Sequence, residues 1–134
     1  MAIRDGASAR PRALMLERER IANHIGDIGA ICNDSSFAFL YYQFMRLKEG
    51  FLRTNLNLFG HRFMMDGIVL GGVAVNINAD GINEIYSELD RFEKEFERVV
   101  IIYDESPSLE DRVRDAGVLK PEMAKDLGAV GFVA

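Results

Sequence analysis

Four ionisable side chains stand at helical spacing near the start of this sequence: Glu17, Arg20, His24 and Asp27. Intervals of three and four stack them on one face of an α-helix, within reach of one another. Histidine changes charge near neutral pH, and neighbouring carboxylates could fix its tautomer and let it relay a proton. The same four residues would serve equally well as the wet flank of a bundle helix, since structural ion-pair networks gather the same types. Two more residues join the set. Asp34 follows the stripe, either as an N-cap for the next helix or as a carboxylate at the mouth of a polar cavity. Arg62, after His61, opens a glycine-rich stretch. Its rigid fork suits recognition of a carboxylate, or ties the loop to a helix carboxylate.

Other chemistry finds no support. The chain has two histidines and one cysteine, with no Cys-x-x-Cys and no His-Glu-x-x-His, so no metal cage can be assembled from it. No Gly-x-Ser-x-Gly or paired Cys and His suits nucleophilic catalysis. Gly71-Gly72 lacks the Lys-Ser/Thr of a phosphate loop and the spacing of a dinucleotide fingerprint. Cys32 sits at an apolar helix position, where a free thiol behaves as a small hydrophobe.

The 134 residues suit one domain with a modest core. A net charge of -5, with no basic run after the first dozen residues, argues against a nucleic-acid partner. No segment approaches the roughly 18 apolar residues of a spanning helix. Residues 1–11 are expected to be a flexible leader and 12–134 a single helical domain. The apolar end GAVGFVA is expected to pair or dock, as in a piece of a longer chain.

The elements that must position these residues are mainly helical. Leu14, Ile21, Ile25, Ile28 and Cys32 mark the apolar seam of a first helix over about 11–32, with Pro11 in its first turn. Gly26 and Gly29 inside it suggest close approach of a neighbouring backbone. A second helix spans about 36–58 and stops at Gly60. Its opening FAFLYYQFM is apolar nearly all round and predicts the most buried part of the domain. Residues 61–78 lose helical periodicity and form a Gly-rich loop or short β-hairpin, with strands near 68–76. Asp80 can cap a third helix. Its apolar face runs through Ile82, Ile85, Leu89, Phe92, Phe96, Val99 and Tyr103, and Glu84, Glu88, Arg91, Glu95 and Arg98 form a solvated face. Pro107 after Ser106, and then Pro121, start two short helices that Gly117 and Gly128 can close. The expected fold is a bundle of three long helices plus short ones.

Several separated stretches resemble one family. RALMLERERIANHIGDIGAICND, FMRLKEGFLR and FGHRFMMDGIVLGGV are similar to the large subunit of membrane-associated [NiFe] hydrogenases of the formate hydrogenlyase or energy-converting type. The quinone-site core subunit of complex I (NADH:quinone oxidoreductase) shares the plan. The shared pattern has an E-x-x-R-I-x-N-H helix, an Asp ten residues after that His, a G-x-R and a P-G-G-V. RVRDAGVLKPEMAKDLGAVGFVA resembles the segment before an Arg-x-Ser-Gly motif in both groups. This chain departs from the pattern at Leu70-Gly71-Gly72, where Pro-Gly-Gly is usual. It also carries an Arg within Glu17-Arg18-Glu19-Arg20 where Leu is usual.

The resemblance implies a central portion of such a subunit without its Cys-x-x-Cys ends, inactive alone and holding no cofactor itself. The parent would carry a Ni–Fe centre, or bind quinone in the complex I case, with NAD binding as an attribute of that parent enzyme. It would sit with an iron–sulfur small subunit and membrane subunits on the cytoplasmic, inner face of the membrane. Glu17, Arg20, His24, Asp34 and Arg62 become candidates for lining a cavity or a proton path, and none is an expected metal ligand. The isolated chain would bare an apolar patch and self-associate. A non-catalytic helical module that docks partner subunits, or an unrelated helical binding protein, would share the same composition.

Overall fold

The computed structural model describes residues 5–70 and 72–129. In chain order the elements are α1 (Asp5–Asp34), α2 (Ala38–Phe59), β1 (Ile68–Val69), β2 (Gly72–Val73), α3 (Ala79–Asp104), α4 (Pro107–Val113) and α5 (Pro121–Asp126). Three long helices pack together, and β1 and β2 form an antiparallel hairpin in which Ile68 faces Val73 and Val69 faces Gly72. The fold is mainly α, as the periodicity predicts. Residues 1–4 of the expected leader, Gly71 of the glycine pair and residues 130–134 of the apolar end lie outside the described residues.

α1 and α2 meet through a Schellman turn. The N–H of Phe37 donates to Cys32 O at 2.8 Å and that of Ser36 to Asn33 O at 2.9 Å. Ser36 takes the left-handed position (φ 63°), where glycine is usual. This turn sends α2 back along α1. At Gly29 the approach is so close that a Cβ would lie 2.7 Å from Met45 Cε and 3.1 Å from Phe44 Cβ. The close neighbours are thus side chains of α2 rather than the backbone expected: the nearest backbone atom to that Cβ, Tyr41 O, is at an ordinary 3.6 Å, and at Gly26 a Cβ would meet only the Lys48 side chain.

The main core joins Ile25 and Cys32 of α1, Leu40, Phe44, Leu47 and Phe51 of α2, Val99 of α3 and Leu109 of α4. Phe44 meets Phe96 and Phe51 meets Phe92 edge to face, at centroid distances of 6.2 and 4.9 Å. Such pairs add about 0.5–1.5 kcal/mol beyond their buried area. A second cluster of Met15, Phe59 and Met64 seats the hairpin against the helices. Arg112 of α4 donates to Ser35 O and ties α4 to the α1–α2 turn.

Four local expectations are corrected. α1 begins at Asp5, so Pro11 lies inside it rather than in its first turn. Asp80 does not cap α3. Asn78 does, its Oδ1 accepting from Gly81 N at 2.9 Å, and Asp80 is an acid in the first turn. The opening of α2 is not buried all round, because α1 and α3 cover only one side of it and leave Phe39 and Tyr42 exposed. Glu88, expected on the solvated face of α3, is buried against α1.

Candidate functional site

The outer face of α1 carries the stripe that the spacing picks out. Glu17 and Arg20 form an ion pair there, with Arg20 Nη1 at 2.8 and 3.0 Å from the two carboxylate oxygens. Both are exposed, so the pair contributes only a few tenths of a kcal/mol. His24 and Asp27 are exposed further along the same face. Asp34 is exposed in the last turn of α1. It is not the N-cap of α2: that position is Phe37, with no side-chain cap bond. The stripe is thus continuous, but within this chain it lies on an open surface rather than around a cavity.

Arg62 is held differently. It reaches back from the loop after α2 to Glu49, Nη1 on Oε1 at 3.0 Å and Nη2 on Oε2 at 2.6 Å. Arg53 Nε adds a contact to Oε1 at 2.9 Å. The bond to Arg62, and next that to Arg53, hold the Glu49 carboxyl down at about 2, and the same pairing raises the Arg62 guanidinium. Arg62 therefore ties the loop to a helix carboxylate. His61 Nδ1 accepts from the backbone N–H groups of Phe63 and Met65, at 3.1 and 3.4 Å, which folds the loop on itself.

Residues that spacing alone passed over form the polar centre of the bundle. Arg18, only 2% exposed, points into the interface of the three long helices. Its Nη1 donates to Glu88 Oε2 of α3 at 2.6 Å and its Nε to Asn55 Oδ1 of α2 at 2.6 Å. Its Nη2 reaches Phe51 O at 3.3 Å, and the guanidinium lies over the Phe51 ring, 5.2 Å from the centroid. Asn55 then donates from Nδ2 to the carbonyl of Arg62 at 3.1 Å. One polar chain thus runs from Glu88 through Arg18 and Asn55 to the loop that carries Arg62. A signal for it exists in the sequence. Met15, Arg18, Ala22, Ile25, Gly29 and Cys32 step by three and four, and Arg18 occupies an inward place in that series.

The arrangement has no nucleophile poised for attack. Burial pushes the Cys32 thiol up, away from the reactive thiolate. Among the described residues no group of three or more His, Cys, Asp and Glu could hold a metal ion. The residues of this chain do not fit a Ni–Fe centre, which needs soft thiolate ligands. Its single thiol is fully buried in the apolar core.

Residues 27–134 match the family described as respiratory-chain NADH dehydrogenase, 49 Kd subunit. The chain belongs to this family. The matched span holds Asp34 and Arg62, while Glu17, Arg20 and His24 precede it. Relatives of the 49 kDa family chain cover those as well. It is 29% identical, over 96% of its length, to a carbon monoxide-induced hydrogenase of Rhodospirillum rubrum. It is 28% identical over 90% to formate hydrogenlyase subunit 5 of Escherichia coli. It is 30% identical over 94% to NADH-quinone oxidoreductase subunit 4 of Thermus thermophilus. The chain spans 37%, 21% and 32% of these relatives, respectively. Among the described residues no helix is long and apolar enough to cross a membrane.

Proposed function

We propose that this chain forms the central helical part of a large subunit of the membrane-associated [NiFe] hydrogenase type, in a parent that interconverts protons and hydrogen. The observation that carries this reading is the likeness to a carbon monoxide-induced hydrogenase over 96% of the chain, which takes in the whole of the three-helix bundle. The Ni–Fe centre would supply the redox chemistry from ligands other than these residues. The chain's own contribution is a wall. Glu17, Arg20, His24 and Asp34 lie on an α1 face that α2 and α3 leave open, and Arg62 is fixed beside α2 by Glu49. On this reading they line a cavity or a proton path completed by other parts of the assembly. An iron–sulfur small subunit and membrane subunits would be the neighbours, with the whole on the inner face of the membrane.

A second reading makes the parent a quinone oxidoreductase. It is supported by the family's own description and by the 30% identity to NADH-quinone oxidoreductase subunit 4. The parent complex, purified intact, separates the two. The hydrogenase reading expects stoichiometric nickel by elemental analysis and hydrogen evolution from a reduced viologen dye. A nickel-free complex that reduces quinone would overturn it in favour of the second. His24→Ala and Asp34→Ala in the parent should lower turnover while leaving metal content unchanged. Full turnover in both variants would remove these two residues from the proposed path.

A further inference from the structure

His61 makes contacts that no function assigned above uses. Its Nδ1 accepts two backbone N–H groups of the loop it opens, from Phe63 at 3.1 Å and from Met65 at 3.4 Å. A ring nitrogen can accept only while it carries no hydrogen, so this geometry requires neutral imidazole with its hydrogen on Nε2. Histidine is also the side chain that ordinarily changes charge between about pH 5 and 8. What the two bonds hold is not relaxed chain. Met64, between the two donors, and Asp66 both take left-handed backbone angles, φ 54° and 59°, which residues other than glycine rarely adopt. The turn puts Met64 into the cluster with Met15 and Phe59, where it is buried. Gly67 N then donates to Met64 O at 3.2 Å, and Ala74 N to Gly67 O at 2.9 Å, which leads into the hairpin.

We propose that His61 is a pH-sensitive latch on the seat of the hairpin: neutral, it holds the turn over 63–67, and protonated at Nδ1 it releases that turn. The added proton comes from solvent and makes Nδ1 a donor facing two donors, so both bonds are lost together. Charged groups stand on the neighbouring elements. On α1, Glu19 lines a small cavity with Arg62 and Phe63, and Arg12 stands one turn before Met15. On α2, Lys48 lines the same cavity, and Glu49 and Arg53 are bonded together with Arg62. Asp66 lies in the loop itself, and residues 67–78 carry no charged side chain. Among the described residues none of these groups bonds to His61, whose side-chain hydrogen bonds are the two from Phe63 and Met65. The release also has a fixed end. Glu49 keeps its carboxyl at about 2, so Arg62 stays pinned to α2 through the range in which histidine titrates. The loosened chain therefore begins beyond Arg62, at Phe63, and runs towards the hairpin.

Solvent-exchange rates of the Phe63 and Met65 amides, measured by NMR on the full chain, test this. Divided into the intrinsic rate at each pH, they give a protection that should fall at least about threefold for both amides between about pH 7.5 and about pH 5.5. The Met64 methyl signal should move with the same midpoint as the two amides. His61→Asn puts an amide oxygen in the place of Nδ1 that accepts whatever the pH, so its protection should keep the higher level throughout. His61→Ala should show the lower level throughout. His24→Asn, which removes the other histidine, should respond as the wild type does. The wild-type and His24→Asn profiles leave position 61 untouched and carry the test where its variants do not fold. Equal wild-type protection at the two pH values would overturn the proposal, as would loss of the response in His24→Asn. So would a fall of the same size in His61→Asn, full protection in His61→Ala at the higher pH, or a Met64 methyl signal that does not move.

Discussion

Arg62 grips Glu49 with both arms of its guanidinium, at 3.0 and 2.6 Å, and so fastens the loop after α2 to the helix it has just left. The pairing holds the Glu49 carboxyl at about 2 against an ordinary 4.5. The folded value lies below the unfolded one, so the folded state takes up this proton less readily. The pair's stabilisation is present above pH 4.5 and fades as pH falls towards 2. Glu49 keeps 36% of its side-chain surface in water, so solvent screens the pair and its contribution is modest. The urea midpoint of the wild type should drop more steeply across this window than that of Glu49→Gln. Salt at about 1 M should narrow the difference. Parallel pH profiles for the two proteins would refute the pairing.

The buried pair Arg18–Glu88 should behave oppositely in size. Removing either partner leaves an uncompensated charge inside the bundle, which costs about 3–5 kcal/mol. Arg18→Met and Glu88→Leu should each lower the urea midpoint strongly at pH 7. The double variant should regain much of that loss, because two apolar side chains replace two charges. Losses that simply add in a double-mutant cycle would show that the two residues are not coupled.

Two glycines on facing helices should answer alanine with opposite signs. At Gly29 the added carbon would press on Phe44 Cβ at 3.1 Å, so overpacking by about 1–3 kcal/mol outweighs the gain of about 1 kcal/mol in helix propensity. At Gly50 the added carbon meets nothing within 4 Å, so only the propensity gain remains. Thermal melts of Gly29→Ala and Gly50→Ala should therefore move down and up respectively. Shifts in the same direction would contradict the packing described for Gly29.

Asn78→Ala should cost about 1 kcal/mol through loss of the bond to Gly81 N. Asp80→Ala should cost less, about 0.3–1 kcal/mol, as an acid near the positive end of α3. Chemical denaturation of the two variants ranks them, and a larger loss at Asp80 would restore it as the cap.

The difference between Asn78 and Asp80 shows how far the sequence could be followed. Both are good caps, and the choice depends on where the chain leaves the hairpin, which no local pattern encodes. Long-period features were plain: three amphipathic helices, the stop at Gly60, the hairpin among the glycines and a close neighbour at Gly29. Exposure of Phe39 and Tyr42 was not, because an all-apolar stretch gives no sign of which side its neighbours leave open. The stripe Glu17, Arg20, His24 was legible as a stripe, and its exposure is a fact about the partners of α1. Arg18 and Glu88 were hidden for a different reason. Each looks like ordinary surface charge until the other, 70 positions away, is brought against it.

The Arg18 node also has a mechanical meaning. Greasy helices can slide along one another at little cost, since leucine against leucine is much the same one turn on. A slip of one turn here would be about 5.4 Å, far beyond the reach of bonds at 2.6 Å to Glu88 and Asn55. The node therefore acts as a detent on axial sliding, fixing α2 and α3 lengthwise against α1. Because Asn55 also holds the carbonyl of Arg62, the same detent sets how far along the bundle the hairpin begins.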